Sequence, residues 1–321
     1  MPAKVVSFIN LKGGVGKTTL ALAIGEWLAF GGGGQKVLLV DVDPQYNMSS
    51  ALLPVAKVTE LGNQGKSVYH MFKSALVGTN WDIGQAIVKD CSNIYGNINL
   101  HTIVSGPDLG RLDEDILECR LTGAPKPAIE LHTVLGSHIQ RIKEQYSWII
   151  IDCPPSLSIV TSNAILCNDY WIAPLIPEAL SVFGVEMITT KIASLEEVTK
   201  ARLPIKFGGS ILNRIDISRK DHQKRAFQIY NKPARYQPFD SWIGDWKPLY
   251  IVSDYDYPGE ALSYPEWPSV REKYGGEHSW AENKADTPEK ALLQSKLGLG
   301  GSYRIANVVL NLAMEFKRTC I

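Results

Sequence analysis

Seven runs of apolar, mostly β-branched residues recur at intervals that leave room for a helix: residues 4–10 (KVVSFIN), 36–43 (KVLLVDVD), 97–105 (NINLHTIVS), 146–154 (YSWIIIDCP), 169–177 (DYWIAPLIP), 204–214 (PIKFGGSILNR) and 248–254 (PLYIVSD). The runs are continuously apolar, which marks strands covered on both faces of a parallel sheet. Helical patterns fall between them, over Leu20 to Phe30, Ala128 to Tyr146, Ile159 to Cys167 and Val182 to Lys200. The β/α alternation predicts an α/β fold: a doubly wound, mostly parallel sheet with helices on both faces, built as a single domain over residues 1–321. Residues 220–300 depart from this, concentrating Trp, Tyr, Pro and charge without a helical period, and read as an insertion or elaborated loop. After it, a C-terminal helix over residues 302–318 puts Ile305, Val308, Val309, Leu312 and Phe316 on one face, a stripe expected to pack on the sheet.

Composition narrows the class without naming a partner. The chain has 33 basic and 33 acidic residues, so any contact with a polyanion needs a local basic patch. Cys91, Cys119, Cys153, Cys167 and Cys320 are scattered without CxxC or His-rich spacing, which argues against a disulfide framework or a zinc site and for free thiols in a reducing cytosol. No run approaches the roughly 18 apolar residues that span a bilayer, and the chain enters a strand directly, with no signal-peptide pattern. A cytoplasmic protein is expected.

The chemistry concentrates after the first strand. Residues 12–19 (KGGVGKTT) place the backbone N–H groups of Gly13, Gly14, Val15, Gly16, Lys17 and Thr18 at the start of the next helix, where a curled glycine loop and the helix dipole favour phosphate. Lys17 can reach the β and γ phosphates, and the Thr18 hydroxyl can ligate Mg²⁺, with Thr19 beside it. The strict GxxxxGK[ST] motif wants glycine at position 11, where this chain has Leu11. Two further strands end in acids, Asp41 and Asp43 in VLLVDVDPQ and Asp152 in WIIIDCPPS. Carboxyl ends of strands are where open α/β sheets bind ligands, so these acids can converge on the phosphate loop.

With Lys12 in the loop, KGGVGKTT resembles the deviant Walker A box of the ParA/MinD/Soj class of P-loop ATPases, and DPQYNMSS favours the ParA branch. The resemblance implies a nitrogenase iron protein-like fold and an ATP-dependent nucleotide-sandwich dimer. In that class the first lysine reaches the partner subunit's phosphates, a role that falls on Lys12. It further implies that Asp43 positions the attacking water, that Asp152 is the Walker B carboxylate holding Mg²⁺, that Asp41 stands near the metal, and that Asn213 of ILNRID reads the adenine edge. The cofactors implied are ATP and Mg²⁺, and DCPPSLS is similar to the switch II segment. Similarity is good up to about residue 216 and weak beyond, and Leu11, the GGGG at 31–34 and the Trp-rich region depart from the family pattern. Because the phosphate loop begins at residue 12, no helix-turn-helix extension is expected ahead of it. An iron–sulfur relative is disfavoured, since the cysteines lack the surrounding pattern.

ParA proteins bind DNA non-specifically as ATP-loaded dimers. Here Arg202, Lys206, Arg214, Arg219, Lys220, Lys224 and Arg225 stand against Asp216 and Asp221, a local excess of five positive charges; Arg214, Arg219, Lys220, Lys224 and Arg225 are the candidate DNA contacts. A solvated helix face is the alternative reading. The function expected is a ParA-like ATPase that partitions or positions DNA or a protein cargo, with a small adaptor stimulating hydrolysis and association with the nucleoid. Two rivals stand beside it. One is an ATP-gated scaffold docking a non-DNA partner through residues 236–280; the other is MinD-like membrane positioning.

Overall fold

The computed structural model describes residues 2–30, 35–92, 94, 96–122, 131–200, 203–244, 277–279 and 302–321. The elements that position the site are, in chain order, β1 (Lys4–Phe8), α1 (Lys17–Phe30), β2 (Val37–Asp41), α2 (Asn47–Leu52), α3 (Val55–Asn63), α4 (Val68–Val77), α5 (Ile83–Ala86), β3 (Leu100–Ile103), α6 (Leu112–Leu121), α7 (Val134–Gln140), β4 (Trp148–Asp152), α8 (Ile159–Cys167), β5 (Tyr170–Leu175), α9 (Ala179–Thr199), β6 (Lys206–Leu212), α10 (Lys220–Tyr230), α11 (Pro233–Tyr236), β7 (Glu277–Ser279), β8 (Ser302–Arg304) and α12 (Ile305–Thr319).

Six strands form one parallel sheet in the order β3-β2-β4-β1-β5-β6. Successive residues of a strand point to opposite faces. All five residues of β2 and of β4 are buried, so helices cover both sides, as the continuous apolar runs require. Each parallel pairing is bridged by a crossover, and the strand order reverses around β1, opening a crevice at the carboxyl ends of β1, β2 and β4.

The C-terminal stripe packs on this sheet. Val308, Val309, Leu312 and Phe316 are buried, and the Phe316 ring lies 6.1 Å from Phe8 and 5.3 Å from Trp148, two central-strand residues. An apolar face spent this way is not available to a membrane surface. Among the described residues no helix is long and apolar enough to cross a membrane.

Three sequence expectations change. The helix expected over 128–146 is the short α7 followed by a 3-10 turn at Lys143–Gln145, which tightens the backbone before β4; residues 123–130 lie outside the described set. The region from 220 begins with a regular amphipathic helix, α10, whose inward residues are His222, Gln223, Ala226, Ile229 and Tyr230. Two of these are polar, which hid the 3.6-residue period from a reading based on apolar positions. Trp242 is buried among Tyr236, Phe239 and Ile243, so it is not part of an exposed aromatic docking surface. The strand expected at 248–254 lies outside the described residues, as do Trp246, Trp267 and Trp280.

Phe316 ties α12 to the centre of the sheet, so Phe316→Ala should cost about 3–5 kcal/mol through lost burial and the cavity left behind. The check is urea unfolding, in which the midpoint falls while the slope stays constant.

Candidate nucleotide site

The loop between β1 and α1 is shaped by its contacts from below. Gly14 and Gly16 adopt φ of 71° and 89°, backbone that side-chain-bearing residues rarely enter. Any Cβ at Gly16 would sit 2.1 Å from Asn213 Nδ2. Asn213, at the end of β6, is fully buried and donates from Nδ2 to the Val15 carbonyl at 2.8 Å. Val15 itself points into the core, so its share in any ligand contact is its backbone N–H. Above the loop lies a cleft of about 510 Å³ lined by Gly13, Gly14, Gly16, Lys17, Thr18, Thr19, Asp43, Gln45, Asn47, Pro155 and Arg214.

Its floor is a crowded set of charges. Lys17 is buried, and its Nζ donates to the Lys12 carbonyl at 3.3 Å. Burial lowers the Lys17 pKa, and the nearby Asp152 and Asp43 carboxylates oppose that shift. The Thr18 hydroxyl donates to Asp152 Oδ2 at 2.6 Å. The other oxygen, Asp152 Oδ1, is buried with no hydrogen-bond partner among the described residues. Burial, then the neighbouring Asp41, pushes the Asp152 carboxyl well above its ordinary range. Asp41 faces Asp152 across the β2–β4 pairing and is itself raised to about 7, chiefly by burial.

These residues fit a hard divalent cation. Mg²⁺ takes oxygen ligands and retains waters, and a hydroxyl beside a buried carboxylate with an unused oxygen supplies such donors. Asp41 does not offer the same. Its Oδ1 accepts from the Asp43 N–H at 3.1 Å, and its Oδ2 from the Ser49 N–H and hydroxyl at 2.9 and 2.7 Å. Both oxygens are engaged and Asp41 does not line the cleft, so it positions the Asp43 loop instead of presenting a free ligand. Asp43 lines the cleft, with Oδ1 accepting from the Gln45 N–H at 2.9 Å.

Two placements, those of Arg214 and Asn213, differ from those expected. Arg214, a candidate DNA contact, turns into the cleft: its backbone is left-handed, φ 53°, and Nη1 donates to the Gly14 carbonyl at 3.2 Å. Asn213 supports the loop from beneath and does not line the cleft; its Oδ1 is buried without a hydrogen-bond partner among the described residues. Lys12 stands outside the cleft lining, its ammonium paired with Glu178. Gln45, Asn47, Pro155 and Glu178 were not singled out from the sequence, although Gln45, Asn47 and Pro155 fall inside the quoted DPQYN and DCPPS segments.

Of the other basic candidates, Arg219 is paired with Asp221 at 2.5 Å, while Lys220 and Lys224 are exposed and Arg225 is half-buried on α10. Lys206 lies over the Tyr170 ring, 5.7 Å from its centre, and Arg202 is outside the described residues. A cavity of about 570 Å³ between β6, α10 and α12 is lined by Tyr230, Phe239 and Glu315 and lies away from the phosphate loop.

Residues 3–205 match the AAA_31 family model, described as an AAA domain. The chromosome-partitioning ATPase Soj of Treponema pallidum is 30% identical over 70% of this chain and 77% of its own length. The chromosome partitioning protein ParA of Caulobacter vibrioides is 30% identical over 67% of this chain and 71% of its own. The chain belongs to the ParA-type P-loop ATPases. Among solved structures, a plasmid partition protein of Borrelia burgdorferi bound to AMPPNP superposes with a TM-score of 0.60 at 25% identity, covering 85% of this chain and 95% of that one. The ParA-type family thus accounts for the six-stranded sheet and for a glycine-loop cleft at its carboxyl edge.

The tight fit beneath the ParA-type loop yields a direct test. Gly16→Ala should abolish binding of a fluorescent ATP analogue while leaving the far-ultraviolet circular dichroism spectrum unchanged, because the added methyl collides with Asn213 and distorts only the loop.

Proposed function

We propose that this protein is an ATPase in which Mg·ATP closes two copies face to face and slow hydrolysis reopens them, the cycle serving to partition or position DNA or a protein cargo. The observation that carries the reading is the meeting of Lys17, Thr18, Asp43 and Asp152 at one glycine loop with Lys12 at its rim.

Phosphoryl transfer leaves the protein mainly positioning and electrostatic work. The loop N–H groups and the Lys17 ammonium hold the β and γ phosphates. Thr18 and Asp152 hold Mg²⁺, which supplies charge neutralisation when bound. Asp43 orients the attacking water, and Asp41 and the Gln45 N–H fix the Asp43 loop and carboxylate. Lys12 from the second copy adds positive charge where negative charge builds on the transferred group. Leu180 and Phe183, on the first turns of α9 beside the loop, are 73% and 54% exposed, apolar surface that a second copy would cover.

Asp43→Ala should therefore bind Mg·ATP and double in mass by light scattering while its turnover falls by about 10² or more, the scale of losing one positioned catalytic group. Lys12→Ala should keep monomer affinity and remain a monomer. Turnover of Asp43→Ala at the wild-type rate would remove its catalytic role.

For DNA, the exposed Lys220 and Lys224 with Arg225 support a small, salt-sensitive, sequence-independent patch. Lys220→Ala/Lys224→Ala in the ATP-loaded dimer should weaken binding to duplexes of different sequence alike. It should also reduce the salt slope by about two per subunit. Absence of duplex binding by the parent dimer at about 50 mM salt would leave a protein cargo as the reading.

A further inference from the structure

Glu178 sits just ahead of α9 at a junction of three segments. Its Oε2 pairs with Lys12 Nζ from the phosphate loop. Its Oε1 is 3.9 Å from Arg219 Nη1 and 3.7 Å from His222 Nε2, both from the β6–α10 region. The His222 Nδ1 accepts from the Asp216 N–H at 3.2 Å, so the ring's proton is on Nε2 and faces Glu178. Lys12, then His222 and Arg219, keep the Glu178 carboxyl below its usual range.

This junction is rigidly placed against the loop. Asn10 Oδ1 accepts from the Lys12 N–H at 3.0 Å, and Asn10 Nδ2 donates to the carbonyls of Pro174 and Ser181 at 2.7 and 3.2 Å. A Cβ on Gly184 would come within 2.4 Å of Asn10 Oδ1, so α9 packs directly on the start of the loop. The Lys12–Glu178 pair is thus a contact between two fixed backbones, made by side chains still 24% and 36% exposed.

We infer that Glu178 is a positioning residue for Lys12: it holds the ammonium against its own subunit and yields it when a second copy brings its nucleotide phosphates. The inference rests on the sandwich-dimer reading above. Phosphate oxygens carry more negative charge than one carboxylate, so they can outcompete Glu178 for the lysine. Release is inexpensive for Glu178, because Arg219 and His222 remain beside its other oxygen. The sequence could not show this arrangement, since position 12, position 178 and the pair 219 and 222 are far apart in the chain.

The test is a dilution series of the Asp43→Ala protein in Mg·ATP, with and without Glu178→Gln, read by light scattering. An exposed pair is worth a few-fold in equilibrium, and two pairs break per dimer, so Glu178→Gln should tighten the dimer by about two- to thirtyfold. With Asp43 intact, Glu178→Gln should lower the protein concentration at which ATPase activity is half-maximal while the KM for ATP at saturating protein stays unchanged. Glu178→Asp keeps the charge and should keep the wild-type midpoint. An unchanged or weakened Glu178→Gln dimer overturns the inference alone, as does an equal shift in Glu178→Asp, which would mark damage to the start of α9. If the parent and both variants stay monomeric in Mg·ATP, the dimer reading falls and the inference falls with it.

Discussion

The structure depends on keeping ionised groups tolerable at the carboxyl edge of a sheet that excludes water. β2 and β4 pair so that Asp41 lies opposite Asp152, and Asp43 follows two residues later; one buried lysine, Lys17, is the cation among them. Three carboxylates against one ammonium cannot all stay charged in a dry site without further positive charge. Asp41 and Asp152 are accordingly pushed toward their neutral forms. Since their folded pKa values lie above the unfolded ones, these acids favour the fold at low pH and lose that contribution as pH rises through the folded values, about 7 for Asp41. Under the proposed function, a divalent cation at Thr18 and Asp152 would reverse this arrangement, and the phosphates accompanying it would be balanced by the loop amides and Lys17. On that reading the acids oppose one another in the protein alone and would attract Mg·nucleotide.

That arrangement needs a loop of fixed shape, and the shape comes from across the sheet. Gly14 and Gly16 permit the backbone curl, and Asn213 from β6 fills the space a side chain at Gly16 would occupy while holding the Val15 carbonyl. Arg214 follows at once and grips the Gly14 carbonyl from the cleft side. Adjacent residues at the end of one strand thus hold the loop from below and above. The β6 end and the start of α10 are thereby held against the phosphate loop, and Arg219 and His222 lie within reach of Glu178.

How far the sequence disclosed this follows from the range of each signal. The six central strands were legible because burial on both faces demands uninterrupted apolar runs. Lys17, Thr18 and the three aspartates were legible because a phosphate loop and strand-end acids are local patterns tied to one topology. Arg214 misled because a cationic cluster in sequence carries no direction; its left-handed backbone, φ 53°, turns it from the charged helix into the cleft. Glu178 was silent because its partners come from two segments distant from it in the chain. Helix α10 was missed where His222 and Gln223 take core positions, and the rival scaffold reading of residues 236–280 stayed open at Trp242 because aromatic density alone does not distinguish an interface from a core.

Under the proposed function, dimerisation would gate the binding of a polyanion. Arg214 is committed to the loop and Arg219 to Asp221 and Glu178, so α10 retains Lys220, Lys224 and part of Arg225 for outside contacts. Each phosphate contact releases roughly one counterion, and two or three contacts give weak attachment at physiological salt. Under the proposed function, joining two copies doubles the contacts on one rigid body. The two patches then act at a high effective concentration, and affinity rises much more steeply than the number of lysines. A protein with equal numbers of basic and acidic residues would thus hold DNA only when nucleotide has brought two patches together, without a strongly basic surface that would bind it at all times.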